Sequence, residues 1–322
     1  MEVGLYITHD GTTYAPPVLD GISWTTERKG SPSSLKFSIL DDDVEFSEGD
    51  LVQLYVDGTG TFYGWIFAQK RSKSGEVSIT AYDQLRYLKN KDNYVYENKK
   101  ASEFIQMVAN DFYLQCGQID TTSFNIVSRV ETNTTLFDMI QNALDLELTN
   151  ARELYVLYDD FGKLTLRNIA NMQVGILLTE EAAQDYNYST SIDKDTYNKV
   201  KLGRDNSTTG MIDTYIAQSG ESIQRWGVLQ YYEKLSGDTD GTEANRANVL
   251  LELYNQPSRT LTISDAFGDV RCRAGALVAV QMDLTGETLL DNWMLIEKAQ
   301  HSFKNGEHTM SLTLRGGIIN NG

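Results

Sequence analysis

Two stretches of alternating apolar and polar residues, one near each end of the chain, share the same order of features. The first reads Glu48-Gly49-Asp50-Leu51-Val52-Gln53-Leu54-Tyr55, then a short turn, then Gly64-Trp65-Ile66-Phe67, then Val77-Ser78-Ile79-Thr80-Ala81-Tyr82-Asp83. The second reads Ala274-Gly275-Ala276-Leu277-Val278-Ala279-Val280, then Asn292-Trp293-Met294-Leu295-Ile296, then His308-Thr309-Met310-Ser311-Leu312-Thr313-Leu314. In each, a glycine two residues ahead of an aliphatic pair opens a strand. Trp65 or Trp293 begins the return strand, and another strand follows a turn at Gly75 or Gly306. Period-two alternation between turn residues is the mark of half-buried antiparallel strands, so the pattern predicts one meander used twice. It also predicts that Trp65 and Trp293 hold equivalent places.

The rest of the first 90 residues carries the same alternation, at Leu5-Tyr6-Ile7, Ile22-Ser23-Trp24-Thr25-Thr26 and Ser34-Leu35-Lys36-Phe37-Ser38-Ile39. A small barrel or sandwich is expected there. From Lys99 the period changes. Phe104, Val108, Phe112 and Cys116 are spaced by four, which predicts a helix closed by Gly117. A second helix is predicted from Thr135, with Asp138 completing a cap, to about Asn150. Glu153–Tyr158 and Lys163–Arg167 flank the turn Asp159-Asp160-Phe161-Gly162 and read as a hairpin. A new β region opens at Asn198–Leu202, with a loop or mobile hairpin at Asp205–Gly210. A third helix is predicted from Thr242 to a stop ahead of Pro257.

Composition narrows the functional classes. The chain has 322 residues, 41% hydrophobic, with a net charge of -17. That length is enough for two or three domains, and the charge argues against a nucleic-acid surface. Cys116 and Cys272 are the only cysteines, far apart and without metal-ligand spacing. No apolar run approaches the ~20 residues that cross a bilayer, and Met1-Glu2-Val3-Gly4 lacks a signal-peptide pattern, so cytoplasmic synthesis and no membrane insertion are expected.

The search for chemistry yields little. His9, His301 and His308 fit no metal motif and read as surface or turn residues, and HExxH, GxSxG and Walker A patterns are absent. Asp160-Phe161-Gly162 matches a kinase triplet by letters alone and is read as a turn. Gly58–Gly64 joins two strands, so no helix N-terminus stands ready to hold a phosphate. Asp41, Asp42, Asp43, Glu45, Glu48 and Asp50 form the densest charge, but the position where a calcium loop needs glycine holds Phe46. A solvated acidic loop is preferred there, and Asp238 and Asp240 pose the same question more weakly. No catalytic, cofactor-binding or metal-binding residue is assigned, and no cofactor is expected.

With the double meander and intervening α+β unit in view, the chain resembles the XkdQ/YqbQ-like tail hub proteins of contractile phages and phage-derived particles. The closing hairpin Leu295–Leu312 carries the resemblance most sharply, with Glu48-Gly49-Asp50, Gly64-Trp65 and Asp83-Gln84-Leu85 in support. The resemblance implies a β-rich α+β fold. Two tail-tube-like antiparallel β-barrel domains would enclose a small α+β domain, with boundaries at 1–95, 96–180 and 181–322. The last would carry an inserted helix at about 242–256 and a loop or hairpin at about 205–241.

The resemblance further implies a non-enzymatic homotrimer in the baseplate of a virion or tail-like particle. It would join a six-fold tail tube protein to a three-fold spike protein, beside other baseplate proteins and the tape measure protein. An acidic surface would suit a conduit that repels polyanions. Two alternatives stand beside it. One is a tail-associated peptidoglycan or polysaccharide hydrolase using Asp and Glu residues from separate strands. The other is a carbohydrate-binding module built on the 18 tyrosines and four tryptophans.

Overall fold

The computed structural model describes residues 1–40, 45–235, 241–284 and 288–316. Seven strands come first: β1 (Val3–His9), β2 (Thr12–Tyr14), β3 (Val18–Glu27), β4 (Ser34–Leu40), β5 (Leu51–Val56), β6 (Thr59–Arg71) and β7 (Glu76–Tyr82). A 3-10 turn at Gln84–Lys89 leads to β8 (Lys91–Lys100), α1 (Ala101–Asp111), β9 (Cys116–Ile119), β10 (Asn125–Thr135), α2 (Leu136–Ala151), β11 (Tyr155–Asp159) and β12 (Leu164–Asn168). Then follow β13 (Gln173–Leu178), β14 (Asp185–Ser191), β15 (Lys199–Asn206), β16 (Met211–Gln218), α3 (Gly220–Trp226), β17 (Gln230–Lys234) and α4 (Glu243–Tyr254). The chain closes with β18 (Ser258–Phe267), β19 (Leu277–Leu284), β20 (Thr288–Lys304) and β21 (Glu307–Arg315).

The repeat is present, and its register can be read residue by residue. In the first unit β3, β4, β7, β6 and β5 lie side by side; in the second, β14, β18, β21, β20 and β19 do. Gly49 N donates to Ile66 O at 2.8 Å and Ile66 N to Asp50 O at 2.9 Å. Gly275 N donates to Ile296 O at 2.8 Å and Ile296 N to Ala276 O at 2.9 Å. Gly49 and Gly275 have φ of 95° and 94°, a left-handed conformation that suits glycine at both. A register shift follows each junction, between Ile66 and Ala68 in β6 and between Ile296 and Lys298 in β20. Both strands therefore bulge one residue after the matched isoleucine.

This register corrects the expected tryptophan match. Leu51 faces Trp65, whereas its counterpart Leu277 faces Leu295; Trp293 instead matches Tyr63. The slip is two residues, which keeps both tryptophans on the same sheet face because side chains alternate with period two.

Two closed barrels are not formed, which corrects the barrel expectation, while the β-rich α+β class stands. The sheet is open, and its path runs β14-β18-β21-β20-β3-β4-β7-β6-β5-β1-β2. The physical cause is the length of β20. Its first half pairs β19, and past the bulge Lys298–Phe303 pairs Glu27–Ile22 of β3. That extension splices the units edge to edge, and Phe303 enters the core made by Ile22, Trp24, Leu35 and Phe37. A cleft of about 530 Å³ lies between β1 and β3, lined by Val3, Leu5, Val18, Ile22 and Phe303 among others.

The inserted elements have their own apolar core, from Leu85 to Leu166, built on Phe104, Ile105, Met139 and Ile140. Thr135 caps α2 as expected, accepting from Asp138 N at 3.1 Å. The first helix, however, ends at Asp111. Cys116 and Gly117 belong to β9, which pairs β12 in parallel. Gly117 serves close approach instead of a cap, since a Cβ there would lie 2.9 Å from Lys163 Cβ. Asp205–Gly210 forms the tip of the β15–β16 hairpin, and α4 packs on that sheet through Ala247 and Leu250. The short helix α3, which carries too few apolar residues for a periodic signal, was not expected.

Candidate functional site

The histidines come first, because a site was sought there. His9 Nδ1 lies 2.8 Å from Asp50 Oδ2, and that hydrogen bond raises the imidazole pKa. Asp50 also accepts from Ser47 N at 2.6 Å, so this carboxylate fixes the turn before β5. His301 is not a surface or turn residue: it is fully buried on β20 and stacks on Trp24, with ring centroids 4.8 Å apart. His308 Nε2 lies 2.9 Å from His301 Nδ1, and Cys272 O lies 3.2 Å from His301 Nε2. Burial, with His308 beside it, lowers the His301 pKa to about 3, and burial also lowers that of His308. The pair is a neutral hydrogen-bonded link at the splice between units. Its burial was illegible locally because Trp24 lies 277 positions away.

Among the described residues the acidic stretch assembles no site. Asp41, Asp42 and Asp43 fall outside the described residues, as do Asp238 and Asp240. Among the described residues no group of three His, Cys, Asp or Glu side chains is placed to hold a metal ion. Cys116 is exposed and Cys272 buried, and each is a free thiol. Asp160-Phe161-Gly162 is a turn, with Phe161 and Gly162 at φ 47° and 83° and Gly162 N donating to Asp159 Oδ1 at 2.7 Å. Its role is packing: Phe161 sits against Gly60 between Tyr55 and Tyr63, at centroid distances of 5.1 and 5.5 Å. The Gly58–Gly64 segment thus receives an aromatic ring. At Gly64 a Cβ would come within 2.3 Å of the Tyr82 carbonyl, so only glycine fits.

What the structure does assemble is a buried polar junction where the two units and the insert meet. Asp83 accepts from Ser33 N at 3.1 Å and Leu85 N at 3.0 Å, while Ser33 Oγ accepts from Trp24 Nε1 at 2.7 Å. Gln84 donates to Asp159 Oδ2 at 2.7 Å and accepts from Gln115 N at 3.0 Å. Arg273 donates to Asp159 O at 2.9 Å and lies over the Tyr158 ring at 3.9 Å. Ala274 N donates to Thr26 Oγ1 at 2.9 Å.

Burial, then the nearby Asp159, holds the Asp83 carboxyl well above the usual range, and burial raises Asp159 as well. Raised carboxyls often mark catalysis, but these two are enclosed and satisfied by amides instead of facing a cleft. Their chemistry is that of a joint. Beside them Arg28 makes a two-pronged ion pair with Glu297 at 2.7 and 2.8 Å, with the Arg28 side chain only 5% exposed. Sequence reasoning missed this junction, because its members come from segments far apart in the chain. The matched glycines are the signal that, extended to the bulge, leads to Glu297.

A family model described as YQBQ-like matches residues 22–315. The chain belongs to this family. Two relatives from Bacillus subtilis (strain 168) agree with the assignment. One is an uncharacterized protein, YqbQ, 32% identical over 312 residues, covering 94% of this chain and 93% of the relative. The other is the phage-like element PBSX protein XkdQ, 30% identical over 321 residues and covering 96% of both.

Among solved structures, the chain has the fold of the prophage MuSo2 43 kDa tail protein from Shewanella oneidensis. The TM-score is 0.72 at 13% identity, covering 97% of this chain and 98% of that one. It is also similar to the tail protein from Neisseria meningitidis MC58, with TM-score 0.71, 11% identity and coverage of 99% and 98%. A third similarity is to the E. coli c3393 protein, a type VI secretion component described as similar to T4 tail proteins gp27 and gp5. There the TM-score is 0.58 at 11% identity, covering 98% of this chain and 80% of that one.

Proposed function

We propose that this chain is a non-enzymatic structural protein of a phage tail or tail-like particle, acting as the baseplate hub. Three copies would form a ring that joins a six-fold tail tube to a three-fold spike. The observation that carries the reading is the pair of units in one chain, matched in strand order, glycine hydrogen bonds and bulge. Three chains with two such units present six similar faces toward a tube while keeping three-fold symmetry toward a spike. The 30% relationship to a protein of a phage-like element and the tail-protein fold support the setting.

In this reading the insert, at 96–180, is a separate domain wedged against both units. It would contribute contacts to other baseplate proteins. The protein would reside in the particle's baseplate after synthesis in the bacterial cytoplasm. The net charge of -17 would suit a conduit for DNA or a tape measure protein.

The test is light scattering of the purified protein, alone and with its spike, followed by imaging of the assembled particle. A mass of three 36.2 kDa chains and six-fold density above the ring are expected. A stable monomer in both conditions would count against the hub. Clearing of a cell-wall zymogram would favour a hydrolase.

A further inference from the structure

The first unit carries a row of aromatic rings that its strand design does not require. Tyr55, Phe161, Tyr63, Trp65, Tyr87 and Phe67 follow one another at centroid separations between 5.1 and 6.0 Å, in T-shaped or tilted contacts. Such contacts use ring edges and leave ring faces open. All six rings are half-buried. The matched strand shows that rings are optional here: Tyr63, Trp65 and Phe67 of β6 correspond in register to Trp293, Leu295 and Glu297 of β20. Leu295 is buried with Val156 and Ile169 of the insert, whereas Trp65 lines a cleft.

That cleft, of about 580 Å³, lies between the first unit and the insert and has the size of a small-ligand site. Tyr63, Trp65, Tyr87 and Phe161 line it from the row, and Tyr113, Gln115 and Lys163 from the insert. Tyr113 sits just past α1 at φ 56°, a left-handed position that glycine or asparagine fills at least cost, and it is 89% exposed. Neither the backbone nor the core gains from a tyrosine there. The use of that ring lies outside the chain.

We infer that this cleft binds a short stretch of a pyranose saccharide, neutral or acidic, with Trp65 and Tyr113 as its stacking platforms. A pyranose has apolar C–H faces that pack on aromatic rings, and hydroxyls that both donate and accept. The cleft offers the complement. The hydroxyls of Tyr63, Tyr87 and Tyr113 and the Gln115 side-chain amide both donate and accept, and Trp65 Nε1 donates. None of these side-chain groups makes a hydrogen bond to the protein among the described residues. Lys163 is the one charged side chain lining the cleft among the described residues, in a chain of net charge -17. That balance admits a neutral or acidic sugar and disfavours a cationic one. A proline-rich peptide, the other guest of aromatic grooves, has no backbone donor at its prolines and would leave the hydroxyl lone pairs unused. The site is independent of the hub reading, because every group in it belongs to one chain.

The test titrates the full-length protein, by calorimetry, with β-linked hexamers of N-acetylglucosamine and of glucose, and with a proline decapeptide as the competing guest. Saturable binding of at least one hexamer with Kd below about 1 mM is expected. Tyr113→Asn, which suits the left-handed backbone, should weaken it about tenfold. Trp65→Leu, which installs the residue of the matched strand, should do the same. Tyr232→Ser, at an exposed ring on β17 outside the cleft, should bind as the parent does. Urea unfolding checks the fold of each variant, and Tyr113→Asn decides alone if Trp65→Leu does not fold. Failure of both hexamers to bind, or binding that Tyr113→Asn leaves unchanged, would overturn the site. Binding of the proline peptide and of neither hexamer would overturn the saccharide and give the cleft to a peptide.

Discussion

At the scale of single residues, His301 shows how burial sets a protonation state. Its imidazole stacks on Trp24, faces His308 and is near Asp269 and Arg273, and its pKa falls from 6.5 to about 3. A group with a depressed folded pKa contributes stability that is present above the unfolded value and lost as pH falls toward the folded one. Between pH 6.5 and 3 the unfolded chain takes up a proton there that the folded chain refuses. Folding stability should then fall by about 1.4 kcal/mol per pH unit from this residue. Asp83 acts in the opposite sense. Its raised pKa adds stability below the ordinary carboxylate range that is lost as pH rises through the folded value.

Urea unfolding from pH 7 to pH 4 on the parent and on His301→Gln separates the two. The variant's stability should decline less steeply by one proton's worth, and equal slopes would refute the assignment. Trp293 makes a second residue-scale case. It is only half-buried, packed against the cluster of Val156, Ile169, Leu277 and Leu295, so Trp293→Ala should cost about 1–3 kcal/mol, less than a full core truncation. Chemical denaturation would measure it, and a loss above 5 kcal/mol would mean the ring does more than pack.

At the scale of elements, the bulge after Ile66 and Ile296 decides the architecture. It re-aims β20 so that its second half leaves the β19 ladder and pairs β3, with Arg28 and Glu297 closing the corner. Removing one member leaves a desolvated charge, so Glu297→Ala is expected to cost about 3–5 kcal/mol. The positions that match this corner by register hold apolar residues, Phe67 at the bulge of β6 and Ile192 just after β14. The double variant Arg28→Ile with Glu297→Phe should therefore recover at least half of what either single change loses. A double-mutant cycle by chemical denaturation reads the coupling directly. Additive losses would mean that the two corners are not interchangeable.

At the scale of the whole molecule, the chain is two matched β units spliced edge to edge, with the insert packed against both. The insert touches the first unit through Phe161 on Gly60 and the second through Val156 on Gly275. The expected assembly has the mass of three chains, measured by light scattering with the spike present, and a monomer there would contradict it.

How much of this was legible beforehand differs by feature. Alternation along Leu51–Tyr82 and Leu277–Leu314, the glycines ahead of them, the cap at Thr135 and the turn at Asp160–Gly162 are local, and the sequence alone determined them. Local chemistry also carried the family resemblance. The two-residue offset between Trp65 and Trp293 escaped, because period-two alternation is preserved when a strand shifts by two. The open sheet, the burial of His301 and the junction of Asp83, Asp159 and Arg273 were decided only in three dimensions. Each depends on β20 meeting β3 across some 270 residues, and the energy of burying a charge or pairing an edge is set by what arrives from elsewhere in the fold.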